Sequence, residues 1–323
     1  MGNLQGTPIT VNHSIVISIA ALSLGLASLA AAAEQPKLGD ATIRGEFSGS
    51  AILVRTTSRF AGAIDSLTWG GREFIDRADH GRQLQSAASF DLAAGCAFWA
   101  ECFNPTEAGS RADGDGPTSS SELVSLKATA AELRTTTRLA FWLRPGEKSA
   151  GRPALNDAVL SRHVLTKRVR VGHGTLANVL DYRVTFTVPA GEKHTFAQFE
   201  ALTGYMPPEF EVFRKFTAAT GKLDDLNDGP GEQASPVVFA TASGRHAMGV
   251  FSPDQPSPGY ETAGYGRFRF PAEKVVKWNC AFRLRGPQGV PTGDHHFRLF
   301  VAVGTLEDVR LALVALDREF PRR

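Results

Sequence analysis

The feature that most constrains the fold of this chain is a period of two in its apolar residues. From Leu180 to Val188 every second residue is apolar, and the residues between them are Asp, Arg or Thr. Such alternation places apolar side chains on one face of an extended strand and polar ones on the other. The segments 121–130, 276–285 and 297–303 alternate in a similar way. The pattern predicts half-buried β-strands along most of the chain.

Turn signals and one helix complete this prediction. In GAIDSLTWGGREFID, Gly70 and Gly71 supply the positive φ angles that a two-residue hairpin turn needs. One helix is predicted after residue 304, with Thr305 as its N-cap and Asp308 completing a capping box. Together with 32 Gly and 18 Pro, these signals predict an all-β fold, a large antiparallel β-sandwich with one C-terminal helix. The segments 101–120 and 223–236 are predicted to be long loops of the kind that carry function.

The N-terminal region indicates export. Residues 15–33 form an uncharged apolar stretch that ends in small residues, with a possible cleavage site before Glu34. We therefore expect a signal peptide at 1–33, a single β-sandwich domain at 34–323, and a periplasmic or secreted protein. An uncleaved membrane anchor is the alternative. The formal net charge of +2 does not indicate a nucleic-acid-binding surface.

The chain has three cysteines, so at least one of them cannot take part in an intramolecular disulfide. Cys96 and Cys102 are close enough in sequence to close a short disulfide loop in an oxidising compartment. Cys280 falls on the apolar side of its alternating segment, so we expect it to be buried packing rather than a nucleophile.

The densest group of polar residues follows the first predicted hairpin. Arg suits carboxylates, His transfers protons near neutral pH, paired Glu residues act as acid and base, and amides bind sugar hydroxyls. The candidate catalytic residues are His80, Arg82, Glu101 and Glu107, with Gln85 and Asn104 as candidate ligand contacts. The alternative is that Arg82 pairs with Asp79 or Glu107 and only fixes a loop.

Two later groups add candidates. Glu200, a further candidate catalytic residue, ends a strand in which apolar alternation is imperfect, and Tyr205 follows it as a platform for a sugar ring. Glu232, Gln233 and Tyr265 are further candidate contacts, although a plain loop is the simpler explanation for the first two. The adjacent His295 and His296 would face opposite sides of a strand, and no zinc-binding motif is present, so neither a metal nor a cofactor is predicted.

The segments FAGAIDSLTWGGREFID, HGRQLQSA and HVLTKRVRVGHGTLANVLDYRVTFTVP resemble elements of the galactose-mutarotase-like superfamily. The resemblance spans roughly residues 60–205. It implies a large β-sandwich ("supersandwich") and carbohydrate handling, as in aldose epimerases and in the sandwich domains of polysaccharide lyases and glycoside hydrolases. In the epimerases a His and a Glu exchange protons with the sugar, and no epimerase-type His segment stands beside Glu200.

Two functions follow from this reading. The first is an exported carbohydrate-active enzyme that cleaves or epimerises a sugar or glycan by acid–base catalysis, as a glycoside hydrolase or polysaccharide lyase rather than a simple mutarotase. The second is a non-catalytic glycan-binding protein of the cell envelope. A carbohydrate is the expected partner in both. A structural envelope protein with merely solvated loops is a third possibility.

Overall fold

The computed structural model of the protein describes Gly2 and residues 38–92, 98–253, 264–286 and 288–321. The signal peptide predicted at 1–33 lies outside the described residues except for Gly2, and so does Cys96. Residues Pro36–Arg323 form one compact unit. No helix in the described ranges is long and apolar enough to span a membrane.

Within these ranges the chain forms 21 strands and one α-helix. The first twelve strands are β1 (Ala41–Phe47), β2 (Ser50–Thr56), β3 (Ile64–Trp69), β4 (Arg72–Glu73), β5 (Leu84–Phe90), β6 (Pro105–Thr106), β7 (Glu122–Ala128), β8 (Glu132–Phe141), β9 (Lys148–Ser149), β10 (Arg152–Pro153), β11 (Leu160–His173) and β12 (Leu176–Val188). The remaining strands are β13 (Phe196–Met206), β14 (Val212–Thr217), β15 (Lys222–Asp225), β16 (Gly231–Gln233), β17 (Val237–Ala240), β18 (Ala247–Phe251), β19 (Gly264–Phe270), β20 (Val275–Arg285) and β21 (Gly293–Gly304). The helix is α1 (Leu306–Glu319).

The strands pair antiparallel in two long runs. One run has the order β7-β8-β11-β12-β21-β18-β17-β14-β15, and the other has the order β1-β2-β3-β5-β13-β20-β19-β16. The short β6 pairs with both β5 and β8 and links the two runs. The predicted all-β sandwich with a C-terminal helix is confirmed.

The alternation read from the sequence sets the core. On β12, Tyr182, Val184 and Phe186 are buried, whereas Arg183 between them is exposed. On β20 the apolar residues Val276 to Leu284 are buried, and they include Cys280, whose thiol is fully buried as predicted. Burial of apolar area at about 25 cal/mol per Å² makes this the dominant stabilising contribution.

The predicted hairpin and helix are both present. Gly70 and Gly71 join β3 to β4 with φ angles of +57° and +73°. Thr305 caps α1: its hydroxyl accepts from the Asp308 amide at 3.2 Å, and the Asp308 carboxylate accepts from the Thr305 amide at 2.9 Å. Val309, on the buried stripe of α1, packs into a second apolar cluster.

The predicted loop at 101–120 is mostly irregular and contains only the short β6 and a 3-10 turn at Arg111–Asp113. The prediction of a long loop at 223–236 was wrong, because this segment contains most of β15 and all of β16. β7, predicted to be half buried, is mostly exposed, and among the described strands it pairs only with β8. Short strands of two to four residues carry too little periodicity to be recognised in a sequence.

Candidate functional site

A cavity of about 340 Å³ lies over the second run of strands. Three neighbouring strands, β5, β13 and β20, form its floor, and loops together with β6, β16 and β19 form its walls. The floor residues are Gln85, Ala87 and Ser89 from β5, Gln198, Glu200, Thr203 and Tyr205 from β13, and Lys277, Asn279 and Arg283 from β20. The wall residues are Gly81, Ala100, Glu101, Asn104, Thr106, Trp142, Glu232 and Phe268.

A β-bulge in β13 brings its polar residues to the cavity. Glu200 lies opposite Ala281 and Leu202 lies opposite Cys280, so Ala201 is an extra residue relative to β20. The pairing with β5 shifts at the same place. Because side chains alternate along a strand, one extra residue reverses the parity. Positions 198 and 200 before the bulge therefore share a face with positions 203 and 205 after it.

The three floor strands align their polar residues in rows. Gln198 pairs across the sheet with Arg283 and Ser89, Thr203 pairs with Asn279 and Gln85, and Tyr205 pairs with Lys277. Residues directly opposite on one face lie about 4.5–5.5 Å apart at Cβ. This spacing gathers amide, hydroxyl and charged groups into one continuous polar patch.

Glu200 is the centre of the hydrogen-bond network in the patch. Its Oε2 accepts from Thr203 Oγ1 at 2.7 Å and lies 3.3 Å from Lys277 Nζ. Gln198 Nε2 donates to its Oε1 at 3.4 Å. Both Glu200 and Lys277 are largely shielded from solvent, with side-chain exposures of 17% and 15%.

This network fixes the protonation states. Burial alone would raise the pKa of Glu200, but the Lys277 charge and the hydrogen bonds from Thr203, Lys277 and Asn279 lower it below its usual value. Burial alone would lower the pKa of Lys277, but the charge of Glu200 and the contributions of Tyr205 and of the hydrogen bonds to both residues together raise it. Burial raises the pKa of Tyr205. At neutral pH the cavity therefore holds an ionised Glu200, a charged Lys277 and a protonated Tyr205.

A second ion pair forms one wall. Arg283 donates from Nη2 to Glu232 Oε2 at 2.7 Å and from Nη1 to the other carboxylate oxygen. Its Nε donates to Gln198 Oε1 at 3.0 Å. Bidentate pairs of this kind are geometrically specific, so Arg283 joins the wall to the floor in a defined orientation.

The loop residues predicted at this site differ in how they are held. Asn104 Nδ2 donates to the Ala88 carbonyl at 2.6 Å, and the Gln85 side chain bonds backbone groups of Gly81 and Ala108. Within the described ranges, no side chain or backbone group bonds the Glu101 carboxylate, which is partly exposed to the cavity. Glu101 is thus the carboxylate with the most freedom to meet a ligand.

Aromatic side chains complete the walls. Trp142, Tyr205 and Phe268 line the cavity. Lys277 Nζ lies 5.3 Å from the centre of the Tyr205 ring and 5.4 Å from that of Phe268, within the range of cation–π attraction.

The cavity therefore brings together six of the residues predicted from the sequence: Gln85, Glu101, Asn104, Glu200, Tyr205 and Glu232. Seven further residues that line the cavity were not predicted from the sequence: Gln198, Thr203, Lys277, Asn279, Arg283, Trp142 and Phe268. A signal for three of them was present in the sequence. The alternation of β20 places Lys277, Asn279 and Arg283 together on its polar face, opposite the apolar face that packs in the core.

The other predicted catalytic residues lie outside the cavity. His80 is buried, and its ring nitrogens contact the Gly114 carbonyl at 2.8 Å and the Arg59 carbonyl at 3.0 Å. Arg82 pairs with Asp79 at 3.0 Å and with Asp76 at 3.5 Å. These contacts match the alternative in which the loop is pinned by local pairing.

Glu107, Gln233 and Tyr265 are also engaged elsewhere. Glu107 is fully buried and pairs with Lys167 inside the sandwich. Gln233 accepts from Arg267 Nη1 at 2.8 Å, and the buried Tyr265 hydroxyl accepts from the Ser252 amide at 2.8 Å.

A separate group of potential metal ligands lies away from these residues. The ligand atoms of His163, Glu192 and His194 are all within 4.8 Å of one another. Zinc motifs in the sequence did not indicate this group, because its members come from a strand and from a distant turn.

Fold and cavity together define a large β-sandwich with a polar, aromatic-walled pocket over one sheet. Among solved structures, an α-mannosidase from Enterococcus faecalis V583 matches 87% of this chain with a TM-score of 0.50 and 11% identity, over 31% of its own length. A galactose mutarotase-like protein from Lactobacillus casei ATCC 334 matches 81% of this chain and 100% of its own, with a TM-score of 0.41 and 10% identity. A mutant heparan sulfate lyase from Pedobacter heparinus matches 83% of this chain and 36% of its own, with a TM-score of 0.39 and 9% identity.

At these identities the likeness concerns the fold alone. A galactose mutarotase-like protein is among the structures matched. No protein-family model matches the sequence, and no curated protein matches it.

Proposed function

We propose that this protein is a carbohydrate-active enzyme that binds a sugar in the cavity over β5, β13 and β20 and cleaves or epimerises it by acid–base catalysis. The observation that carries the proposal is the composition of this one cavity. It combines three carboxylates, Glu101, Glu200 and Glu232, with amides and aromatic walls. Convergent polar groups in a concave pocket with shifted pKa values are typical of active sites.

The cavity suits a sugar in size and chemistry. Its volume of about 340 Å³ falls within the range of small-molecule sites. The amides of Gln198 and Asn279 offer donors and acceptors for hydroxyl groups. Trp142 and Phe268 offer apolar faces on which the C–H side of a sugar ring packs. An α-mannosidase has this fold, so a sugar is a reasonable ligand for it.

The protonation states assign roles. Glu200, held ionised by Lys277, accepts a proton from a sugar hydroxyl or a water. Tyr205, held protonated by burial, donates to an oxygen of the sugar, and Lys277 stabilises negative charge that develops there. Glu232 is paired with Arg283, so Glu101 is the carboxylate that completes the acid–base pair of a hydrolase.

A non-catalytic glycan-binding protein is the second candidate, and one observation favours it. Glu200 and Glu232 are already paired with Lys277 and Arg283. Such pairing stiffens a binding surface, whereas a general base must release its partner or move relative to it.

The test is a glycan screen followed by variants. Binding and turnover are measured by NMR on mono- and oligosaccharides, including uronate-containing ones and free aldoses. For any substrate found, Glu200→Gln and Glu101→Gln are expected to lose roughly 10²–10⁴-fold in kcat while remaining folded. The exposed Glu122, which pairs with Arg138 on the surface, gives the matched control Glu122→Gln.

The outcomes separate the candidates. Binding without turnover supports the glycan-binding protein. If no glycan in the panel is bound or turned over, both candidate functions are contradicted. Turnover that survives in Glu200→Gln and Glu101→Gln places the chemistry elsewhere in the chain.

We also propose that the protein works in the periplasm or outside the cell. The support is the uncharged apolar stretch at residues 15–33, which ends in small residues. Intact-mass analysis of protein exported by the native host is expected to show a chain that starts near Glu34. A mature chain that retains residues 15–33 contradicts this proposal.

A further inference from the structure

His163, Glu192 and His194 form a buried group of converging ligand atoms. His163 lies on β11, and the other two lie in the turn between β12 and β13. The side chains of His163 and His194 are only 3% and 1% exposed, and that of Glu192 is 15% exposed. Glu192 Oε2 lies 2.8 Å from His163 Nε2 and 3.2 Å from His194 Nε2. One carboxylate oxygen therefore faces two ring nitrogens.

The hydrogens of His194 show why this arrangement is unusual. Its Nδ1 contacts the backbone carbonyl of Asp91, which only accepts hydrogen bonds, so Nδ1 carries the ring hydrogen. In a neutral ring Nε2 then presents a lone pair to the Glu192 oxygen. Two atoms with lone pairs, His194 Nε2 and Glu192 Oε2, therefore face each other 3.2 Å apart, where the imidazole is almost fully buried.

A metal ion placed between these atoms accepts both lone pairs. Metal-binding histidines commonly donate their other ring hydrogen to a backbone carbonyl or carboxylate, as His194 does to Asp91. Ligand atoms bound about 2.0–2.1 Å from a tetrahedral ion stand about 3.3 Å apart. Glu192 Oε2 lies 3.2 Å from His194 Nε2, which is close to this value, and 2.8 Å from His163 Nε2, a pair that has to separate by about 0.5 Å to hold an ion; all three ligand atoms lie within 4.8 Å of one another.

The surroundings leave one carboxylate oxygen for an ion. Arg162 Nη2 lies 3.4 Å from Glu192 Oε1 and occupies that oxygen, while Oε2 faces the histidines. The Phe90 ring packs 4.9 Å from the His163 ring and 4.6 Å from the His194 ring, which holds both imidazoles in place.

We propose that His163, Glu192 and His194 bind a divalent transition-metal ion, with Zn²⁺ as the best fit. Two imidazole nitrogens and one carboxylate oxygen suit Zn²⁺ or Co²⁺, with water as the fourth ligand, and are too poor in oxygen for Ca²⁺ or Mg²⁺. The ion ties the turn between β12 and β13 to β11. None of the three residues lines the sugar cavity, so the site is a structural one.

The test uses the full chain with any affinity tag removed. The protein is treated with EDTA, transferred to metal-free buffer and titrated with Zn²⁺ by calorimetry, and metal content is measured by mass spectrometry. The wild type is expected to bind one equivalent of Zn²⁺ and to melt at a higher temperature with it. Substoichiometric binding contradicts the proposal and supports the hydrogen-bonded group.

Variants locate the ion. His163→Gln and His194→Gln are each expected to weaken Zn²⁺ affinity at least about tenfold, as even loss of an outer-shell partner does. His295→Gln is the matched control, because His295 is nearly as buried but bonds the Pro291 carbonyl outside this group. Equal loss in the control, or no loss in the two variants, overturns the assignment.

A measurement on the wild type covers the case in which the variants do not fold. Co²⁺ added to the metal-free protein is expected to give the intense visible bands of a tetrahedral site, and one equivalent of Zn²⁺ is expected to remove them. A spectrum identical to that of hydrated Co²⁺ contradicts the proposal.

Discussion

Lys167 donates a hydrogen bond from Nζ to the Glu107 carboxylate inside the sandwich, and both side chains are completely buried. Lys167 also donates to the Gly62 carbonyl at 2.6 Å, and Glu107 accepts from the Ser86 amide at 3.1 Å. The pair joins β11 to the segment after β6 and to β5. When both charges of a pair are buried, replacing both residues by apolar ones destabilises the fold less than replacing one, because a single replacement leaves the other charge uncompensated.

Breaking this pair is therefore expected to destabilise the fold strongly. Lys167→Met leaves an uncompensated buried carboxylate, and about 3–5 kcal/mol of unfolding free energy is expected to be lost. The measurement is urea unfolding at pH 7. The exposed pair of Glu122 and Arg138 is the control, for which about 0–1 kcal/mol is expected. A loss as small in Lys167→Met as in the control contradicts this account, and the double variant with Glu107→Leu is expected to recover part of the loss.

Replacing His80 distinguishes a catalytic role of this residue from a structural one. Since both of its ring nitrogens contact backbone carbonyls away from the cavity, we expect His80→Ala to lower stability by about 1–3 kcal/mol. We expect turnover or binding per folded molecule to stay unchanged. Thermal melting and assays at matched folded concentration check both expectations. A large rate loss in a fully folded His80→Ala protein would restore the catalytic hypothesis drawn from the sequence.

The Glu200–Lys277 pair predicts a pH dependence. The folded-state pKa of Glu200 lies below its usual value of 4.5, so its ionisation stabilises the fold fully above about pH 5 and progressively less as the pH falls through the folded-state pKa. The free-energy difference between wild type and Glu200→Gln is expected to be largest at pH 7 and to shrink toward pH 3. Urea unfolding at several pH values measures it, with Glu122→Gln as a reference. A difference that grows on acidification is the opposite of this result.

Gly204 tests the register of β13 after the bulge. A Cβ at this position would lie 2.5 Å from ring atoms of Trp278, which is buried in the core. Gly204→Ala is therefore expected to overpack the core and to cost about 1–3 kcal/mol. Tryptophan fluorescence and thermal melting follow the change. Gly286→Ala, where the nearest atom is 3.8 Å away, should be nearly neutral, and equal effects at both glycines would argue against the register.

The fold was largely predictable because its signals are local. Alternation identified β12, β20 and β21, the two glycines identified the first hairpin, and Thr305 identified the start of α1. In each case a few neighbouring residues carry the information. Strands as short as β6 and β16 were missed because their pairing comes from distant segments.

The candidate site was only partly predictable, because proximity in sequence is not proximity on a sheet face. Thr106 lines the cavity, yet its neighbour Glu107 points the other way and meets Lys167 in the core. In the same way, Gln85 lines the cavity, whereas its neighbour Ser86 is buried on the other side of the strand. Knowing which face of β5 and β6 is concave requires the tertiary pairing with β13, which local patterns do not supply.

The extra residue at Ala201 restricts how this pocket can change over evolutionary time. Removing it would restore unbroken alternation and turn either Gln198 and Glu200 or Thr203 and Tyr205 toward the core, so half of the β13 side chains that line the pocket would be lost in one step. A change of one residue in the length of this strand would therefore destroy part of the pocket. New ligand preferences have to arise by substitution on the three floor strands or by remodelling the loops that carry Glu101 and Trp142.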